Sequence, residues 1–245
     1  MKIAVAGGTG AVGRHVVDVI TERGHDPLVL ARSRGVDLVT GEGLSLAGVQ
    51  AVIDVVSTNT QSTKESAAFF AAVTRNLLAA EAAASVAHHV ALGIVGSVEA
   101  PFGYYAGKKA QEELVEAAPV GWTILRATQF HEFASQLYSR VRLGPIHLAP
   151  KMVSQPVAAR EVAEHLVDLA IGTPVGHAKD LAGPRVEKMV DMMRAYAKAT
   201  GGRGPIIETI VPGGFGTALR NGTILPGPAA TLGKQTYAEW LAALP

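Results

Sequence analysis

Cysteine is absent from all 245 residues. Disulfides, thiolate catalysis and cysteine metal ligands are thereby excluded. Neither sign of charge is in surplus, because 22 Lys and Arg against 21 Asp and Glu leave a formal net charge of +1. That balance gives no basic footprint for nucleic acid and no pull toward an anionic membrane. Aromatics are only 5% of the chain, so its 48% hydrophobic content rests on Ala, Val and Leu, a mix that suits helices layered on a sheet. Charged residues at 18% argue for a folded chain over a disordered one. Long apolar runs are missing too. The run over 1–6 is too short for a signal peptide and ends in Gly7. The Ala-rich stretch 66–87 is interrupted or flanked by Lys64, Glu65, Arg75, Asn76 and Glu81, which predicts a buried soluble helix and not a membrane span. A cytoplasmic protein is expected. His88 and His89 have no third ligand at metal spacing, so no metal site is expected.

What is present alternates. Apolar runs over 2–6, 27–31, 50–56, 89–95 and 122–126 predict strands. Helical spacing predicts helices over 11–23, 62–84 and 104–117, the first of them stopped by Gly24. A short third strand is expected just before Asp37. The alternation implies an α/β fold, a doubly wound parallel sheet of Rossmann type. After Ala127 the pattern loosens, although 160–171 and 186–199 read as amphipathic helices. Proline and glycine become frequent over 202–233. The expected organisation is one domain, with 1–127 as its core and 128–245 as a small mixed lobe packed on it.

The first strand runs into Gly7-Gly8-Thr9-Gly10-Ala11-Val12-Gly13, which reads as Gly7-x-x-Gly10-x-x-Gly13 or Gly8-x-Gly10-x-x-Gly13. One glycine permits the tight turn, one lets backbone approach a pyrophosphate, and the last lets the helix pack close to the strand. The helix N-terminus then offers N–H groups and a positive dipole end to phosphates. A dinucleotide site is therefore expected. Where NAD sites usually carry an acid after the second strand, this chain has Arg32, Ser33 and Arg34. Arginine pairs with a 2′-phosphate in fork geometry, so NADP(H) is favoured over NAD(H). Arg14 adds charge beside the turn.

Gly103-Tyr104-Tyr105-Ala106-Gly107-Lys108-Lys109-Ala110-Gln111-Glu112-Glu113 is the second informative segment. Tyr104 and Lys108 share one helical face at a spacing of four. An ammonium near a tyrosine hydroxyl lowers its pKa, and a tuned tyrosine exchanges a proton with a carbonyl or alcohol. Tyr105 and Lys109 offer the same spacing.

With the glycine turn, this segment resembles the short-chain dehydrogenase/reductase superfamily. Ile94-Val95-Gly96, the run Arg126-Ala127-Thr128-Gln129-Phe130-His131-Glu132-Phe133, Gln155-Pro156-Val157, Arg160-Glu161-Val162-Ala163, Leu181-Ala182-Gly183-Pro184 and Thr236-Tyr237-Ala238-Glu239-Trp240-Leu241 narrow the likeness to the atypical, NmrA-like branch. The resemblance spans nearly the whole chain. It implies Tyr104 and Lys108 as the catalytic pair, favouring that register, with Lys108 also bonding the nicotinamide ribose. One departure stands out: the preceding strand carries Gly93 where the branch often has serine, and Ser97 is the nearest substitute.

Other candidates follow the strand ends. Asp37 and Leu38 stand where relatives contact adenine, or Asp37 is a capping acid. Ser57 and Thr58 lie at a carboxyl edge, to flank pyrophosphate and ribose or to cap the long helix. Thr128 joins the cofactor set, and Gln129, Phe130 and His131 join Ser97 as substrate candidates. Phe130 is equally a core residue, and His131 a structural one. The expected function is an NADPH-dependent oxidoreductase that passes hydride to a small apolar carbonyl, enone or quinone. The alternatives are a non-catalytic NADP-binding redox sensor and an epimerase or isomerase of the same superfamily. A small-molecule substrate is expected, with a monomer or homodimer and neither nucleic acid nor membrane as partner.

Overall fold

The computed structural model describes residues 1–244. Its strands are β1 Lys2–Ala6, β2 Asp26–Leu30, β3 Ala51–Asp54, β4 His88–Ile94, β5 Gly121–Ala127, β6 Arg142–Leu143, β7 Ile146–Pro150, β8 Val153–Ser154, β9 Gly176–His177, β10 Leu181–Ala182, β11 Glu187–Lys188, β12 Ile206–Thr209 and β13 Thr231–Leu232. Its α-helices are α1 Ala11–Glu22, α2 Thr63–Ala84, α3 Tyr104–Glu116, α4 Glu132–Arg140, α5 Ala159–Ile171, α6 Met189–Ala199, α7 Gly213–Asn221 and α8 Tyr237–Ala242. Two compact units emerge. One takes Met1–Arg126 and Ala159–Lys179, and the other takes Ala127–Ala158 and the chain from Asp180 onward.

The first unit holds a mostly parallel sheet in the order β2-β1-β3-β4-β5, with β9 beside β5. The chain goes from β1 out to β2 and then back across to β3 on the other side. The strand order therefore reverses between β1 and β3, and their carboxyl ends flank the crevice where open α/β sheets bind ligands. Ile3 to Ala6 and Ala51 to Ile53 are fully buried, which explains near-continuous apolar strands in place of alternation. Helix α1 buries Val12, Val16, Val19 and Ile20, each contributing roughly 1.5–3 kcal/mol. Gly24 at φ 73° ends it. Helix α2 starts at Ser62, whose side chain accepts from the Glu65 N–H at 3.3 Å. Helix α3 lies close against α2, because a Cβ on Gly107 would overlap Ser66 and Phe70.

The segment expected to hold a strand before Asp37 does not. Residues Arg32–Arg34 form a single 3₁₀ turn closed by Gly35 at φ 78°, and Gly41 and Gly43 also take positive φ. These left-handed positions interrupt any strand. The stretch is anchored instead by Val36 and Leu38, which enter the core beside Leu77 and Phe70. The third strand is Ala51–Asp54.

In the second unit, Leu181 of β10 pairs with Ala127 and with Thr231 of β13. A separate sheet runs β12-β7-β6, and β8 pairs with β11. Most of these strands are two to five residues long, which is why no periodicity announced them.

Gly13 is the tightest point of the cofactor turn. A Cβ there would overlap the Gly7 carbonyl oxygen and come within 2.7 Å of Gly8 Cα, whereas a Cβ on Gly10 meets only the Gly7 oxygen, at 3.2 Å. Gly13→Ala should cost about 2 kcal/mol or more in urea denaturation, and Gly10→Ala less than about 1 kcal/mol. Equal costs would show that the contact carries no structural weight.

Candidate functional site

The site begins at the glycine turn. Gly7 adopts φ 81°, and a Cβ on it would lie 3.0 Å from both the Val55 oxygen and Val56 Cα. The turn thus bears directly on the chain leaving β3. Gly10 caps α1 with extended backbone and no side-chain hydrogen bond, and no acidic residue occupies the first helical turn. The first N–H groups, with the dipole behind them, face outward without a competing carboxylate. Thr9, Gly10 and Ala11 are exposed, while Val12 and Gly13 are buried.

The loop after β3 leads to the tyrosine. Asp54 is fully buried, and its Oδ1 accepts from the Val56 N–H at 3.1 Å. Ser57 follows, and the Tyr104 hydroxyl donates to Ser57 Oγ at 3.2 Å. Thr58 Oγ1 accepts from Thr60 N–H at 3.5 Å, inside the same loop. The Tyr104 ring packs edge-on against Phe70, with centroids 5.4 Å apart. Of the two spaced pairs, it is Tyr104 that reaches the loop after β3. Tyr105 is buried, and Lys109 instead pairs with Glu113 along the surface of α3.

Lys108 departs from expectation. Its ammonium is buried, lies 4.7 Å from the centre of the Phe70 ring, and donates to Gln111 Oε1 at 2.5 Å. Gln111 Nε2 donates in turn to Asp54 Oδ2 at 2.7 Å. Burial pulls the Lys108 pKa down to about 8, with Asp54 and then Glu112 holding it up. Burial pushes the Tyr104 hydroxyl up to about 12, the hydrogen bond with Ser57 opposes this, and the Asp54 charge adds to it. Tyr104 keeps its proton through the neutral range.

The missing serine has a structural counterpart. A Cβ on Gly93 would overlap Glu112 Oε1 and lie 2.9 Å from Arg126 Cγ. Arg126 donates to Glu112 Oε2 through Nε at 3.0 Å and Nη2 at 2.6 Å, so an ion pair fills the space of a side chain. Ser97 is no substitute, because it is buried and its hydroxyl donates to the Ile94 carbonyl at 2.8 Å.

Arg32, Gly35, Val36, Asp37 and Glu42 line an open pocket beyond β2. Arg32, Ser33 and Arg34 are exposed, and neither arginine enters an ion pair among the described residues. Asp37 caps its own turn, with Oδ1 accepting from Val39 N–H at 2.8 Å and Thr40 N–H at 3.3 Å. Leu38 is a core residue.

The remaining candidates belong to the second unit. Thr128 is buried and donates to the Gln155 carbonyl at 2.5 Å. Gln129 Oε1 accepts from Ser154 Oγ at 2.7 Å, and Phe130 bridges to Val157. His131 is fully buried, its Nε2 donating to the Gln235 carbonyl at 3.2 Å, and its ring lies 5.7 Å from Tyr237 and 5.9 Å from Trp240. That is the packing role of a structural histidine, one of the two readings its sequence position left open. Asp54, Gln111, Glu112 and Arg126 were not among the predicted residues. Their signals were an acid in an otherwise apolar strand and polar groups three and four places after Lys108.

The NAD(P)H-binding family profile matches residues 7–171. The chain belongs to the NAD(P)H-binding family. The matched segment contains the glycine turn, Asp54 and the Tyr104–Lys108 pair. No curated protein matches at a significant level. Among solved structures, an NADPH-dependent quinone oxidoreductase of Escherichia coli is 14% identical at TM-score 0.67, with 98% of each chain covered. UDP-glucose 4-epimerase of Thermus thermophilus, in complex with NAD, is 17% identical at TM-score 0.65, covering 92% of this chain and 94% of that one. A short-chain dehydrogenase/reductase superfamily protein of Agrobacterium tumefaciens with bound NAD is 18% identical at TM-score 0.66, covering 99% and 95%. The shared fold is the Rossmann-type sheet. A dinucleotide fits the cradle, since a Cβ at Gly7 or Gly13 would press into backbone and the first turn of α1 is free of acids. Among the described residues, no helix is long and apolar enough to cross a membrane, and no three His, Asp or Glu side chains are grouped to hold a metal ion.

Lys108 also leaves a mark on stability. Between about pH 8 and 10.5 the unfolded chain holds a proton that folded Lys108 has lost, so stability rises with pH across that window. The folded protein should gain up to about 3 kcal/mol there, and Lys108→Met should lack the gain. Parallel curves for both proteins in urea denaturation would contradict the buried, depressed lysine.

Proposed function

We propose that this protein is an NADPH-dependent oxidoreductase that reduces a small apolar carbonyl, enone or quinone. One observation carries the reading: the Tyr104 hydroxyl is joined to Ser57, on the loop that abuts Gly7 of the cofactor turn. The proton-bearing group and the pyrophosphate cradle thus share one edge of the sheet.

The glycine turn and the first N–H groups of α1 hold the pyrophosphate, and Arg32 with Arg34 pairs the 2′-phosphate. Ser33, and the backbone beside Asp37 and Leu38, border the adenosine. Ser57, Thr58 and Lys108 take the ribose and pyrophosphate side nearer Tyr104. When bound, the cofactor supplies the hydride. Tyr104 supplies the proton to the acceptor oxygen, because burial keeps its hydroxyl protonated through the neutral range. His131 and Ser97 are left to packing.

A second reading is supported by the closed position at Gly93. With no hydroxyl there to hold the acceptor oxygen, Tyr104 acts without the usual partner, and a sensor that binds NADP without turnover uses the same cradle. The quinone oxidoreductase of Escherichia coli shares the fold and has NADPH in its name, which supports the first reading.

The test follows NADPH absorbance with a panel of quinones, enones and ketones. Tyr104→Phe should lower kcat on the best acceptor by about 100-fold or more, with NADPH affinity held within about twofold. NADPH should bind more tightly than NADH, and Arg32→Ala should narrow that preference by about tenfold. Tight NADPH binding with no turnover on any acceptor would favour the sensor.

A further inference from the structure

Several buried polar groups have no part in the proposed proton transfer. The most connected of them is Gln111, which is fully buried between two charges. Its Oε1 accepts from the Lys108 ammonium at 2.5 Å, and its Nε2 donates to Asp54 Oδ2 at 2.7 Å. Both bonds are charge-assisted, and the two partners fix which way the amide points. We propose that Gln111 and Asp54 are positioning residues for Lys108, the amide carrying the influence of a carboxylate that the ammonium does not touch. This inference rests on the reading of Lys108 as a ribose-binding group.

The geometry gives the bridge two jobs. It fixes the position of the ammonium, which also lies 4.7 Å from the centre of the Phe70 ring. It also links the lysine to the cofactor loop. Asp54 Oδ1 accepts from the Val56 N–H, and Val56 bears on Gly7 and precedes Ser57, the partner of Tyr104. Lys108, the glycine turn and Tyr104 therefore share Asp54 as a common anchor.

The groups around the ammonium are few. From its own helix come Gln111, Glu112 and, one turn earlier, Tyr104. Glu112 is engaged through Oε2 by Arg126. From β3 comes Asp54. Beyond Asp54, His89 of β4 is held by Glu81 of α2 at 2.7 Å, inside a fully buried pair. Burial acts to strip the Lys108 proton, and Asp54 is the first group that opposes it. Removing the Asp54 charge, or the amide that carries its effect, should leave Lys108 neutral at a lower pH.

The test uses the full chain without added cofactor, labelled at the lysine ε-carbon for NMR, with Lys108→Arg assigning the resonance. Alongside it, the NADPH dissociation constant is measured against pH by nicotinamide fluorescence. Asp54→Asn should lower the Lys108 titration midpoint by about one pH unit or more. NADPH affinity near pH 7.5 should fall by about threefold or more and recover near pH 6. Gln111→Leu should move the midpoint the same way. Gln111→Glu sets a carboxylate directly on the ammonium and should raise it, which keeps the proposal testable if Asp54→Asn does not fold. A midpoint unmoved in both Asp54→Asn and Gln111→Glu overturns the bridge. A midpoint that moves while NADPH affinity ignores it supports the bridge and overturns the ribose role of Lys108. A purely structural role would weaken binding equally at every pH.

Discussion

The contact of Gly13 with the backbone of Gly7 and Gly8 is the constraint from which the site follows. No side chain fits between them. Because the helix begins that close to the strand, its N-terminal N–H groups stand at the carboxyl end of β1, beside the strand-order reversal. Gly7 meanwhile touches Val55 and Val56, so the same turn fixes the loop that carries Ser57. Ser57 in turn meets Tyr104. The glycine turn and the Tyr104 hydroxyl are thereby placed on one edge, through backbone contacts and the Ser57 hydrogen bond.

A buried polar row lies behind this edge. Asp54, Gln111 and Lys108 are all shielded from water, and so are Glu112, Glu81 and His89. Such groups are costly unless each finds partners. Here the charges alternate: Lys108 is bridged to Asp54, Arg126 meets Glu112, and His89 meets Glu81. Burial acts to lower the His89 pKa, but the Glu81 charge and hydrogen bond, with Asp54 beyond, bring the net shift upward. A row of hydrophobic residues would hold the same space at less cost in desolvation. The retention of a lysine with a depressed pKa among these groups fits a site in which stability gives way to chemistry.

Much of the first unit was legible because its signals are local and redundant. The apolar runs of β1, β3, β4 and β5 lack alternation because both faces are covered, and the glycine turn sits at the junction of strand and helix where its motif requires it. Spacing left the register of the Tyr-Lys pair open, because Tyr105 and Lys109 repeat it one place on. The stretch around Asp37 misled because a strand was expected where positive-φ glycines impose turns and Asp37 spends its carboxylate on the adjacent N–H groups. Lys108 misled because sequence spacing brings two side chains to one face without saying where the longer one points. Its ammonium turned to Gln111, a partner on the next turn of the same helix. His131 stayed open between a substrate contact and a structural residue, because its neighbours Tyr237 and Trp240 are more than a hundred residues away in the chain and no local pattern could reveal that enclosure. The second unit was least legible, since its strands are too short for periodicity to act on.

The most direct test of the account is a crystal structure of the protein grown with NADPH. The account predicts the pyrophosphate against the backbone N–H groups between Thr9 and Gly13, with the 2′-phosphate beside Arg32. Cofactor bound elsewhere, or a pyrophosphate held away from the first turn of α1, would contradict it.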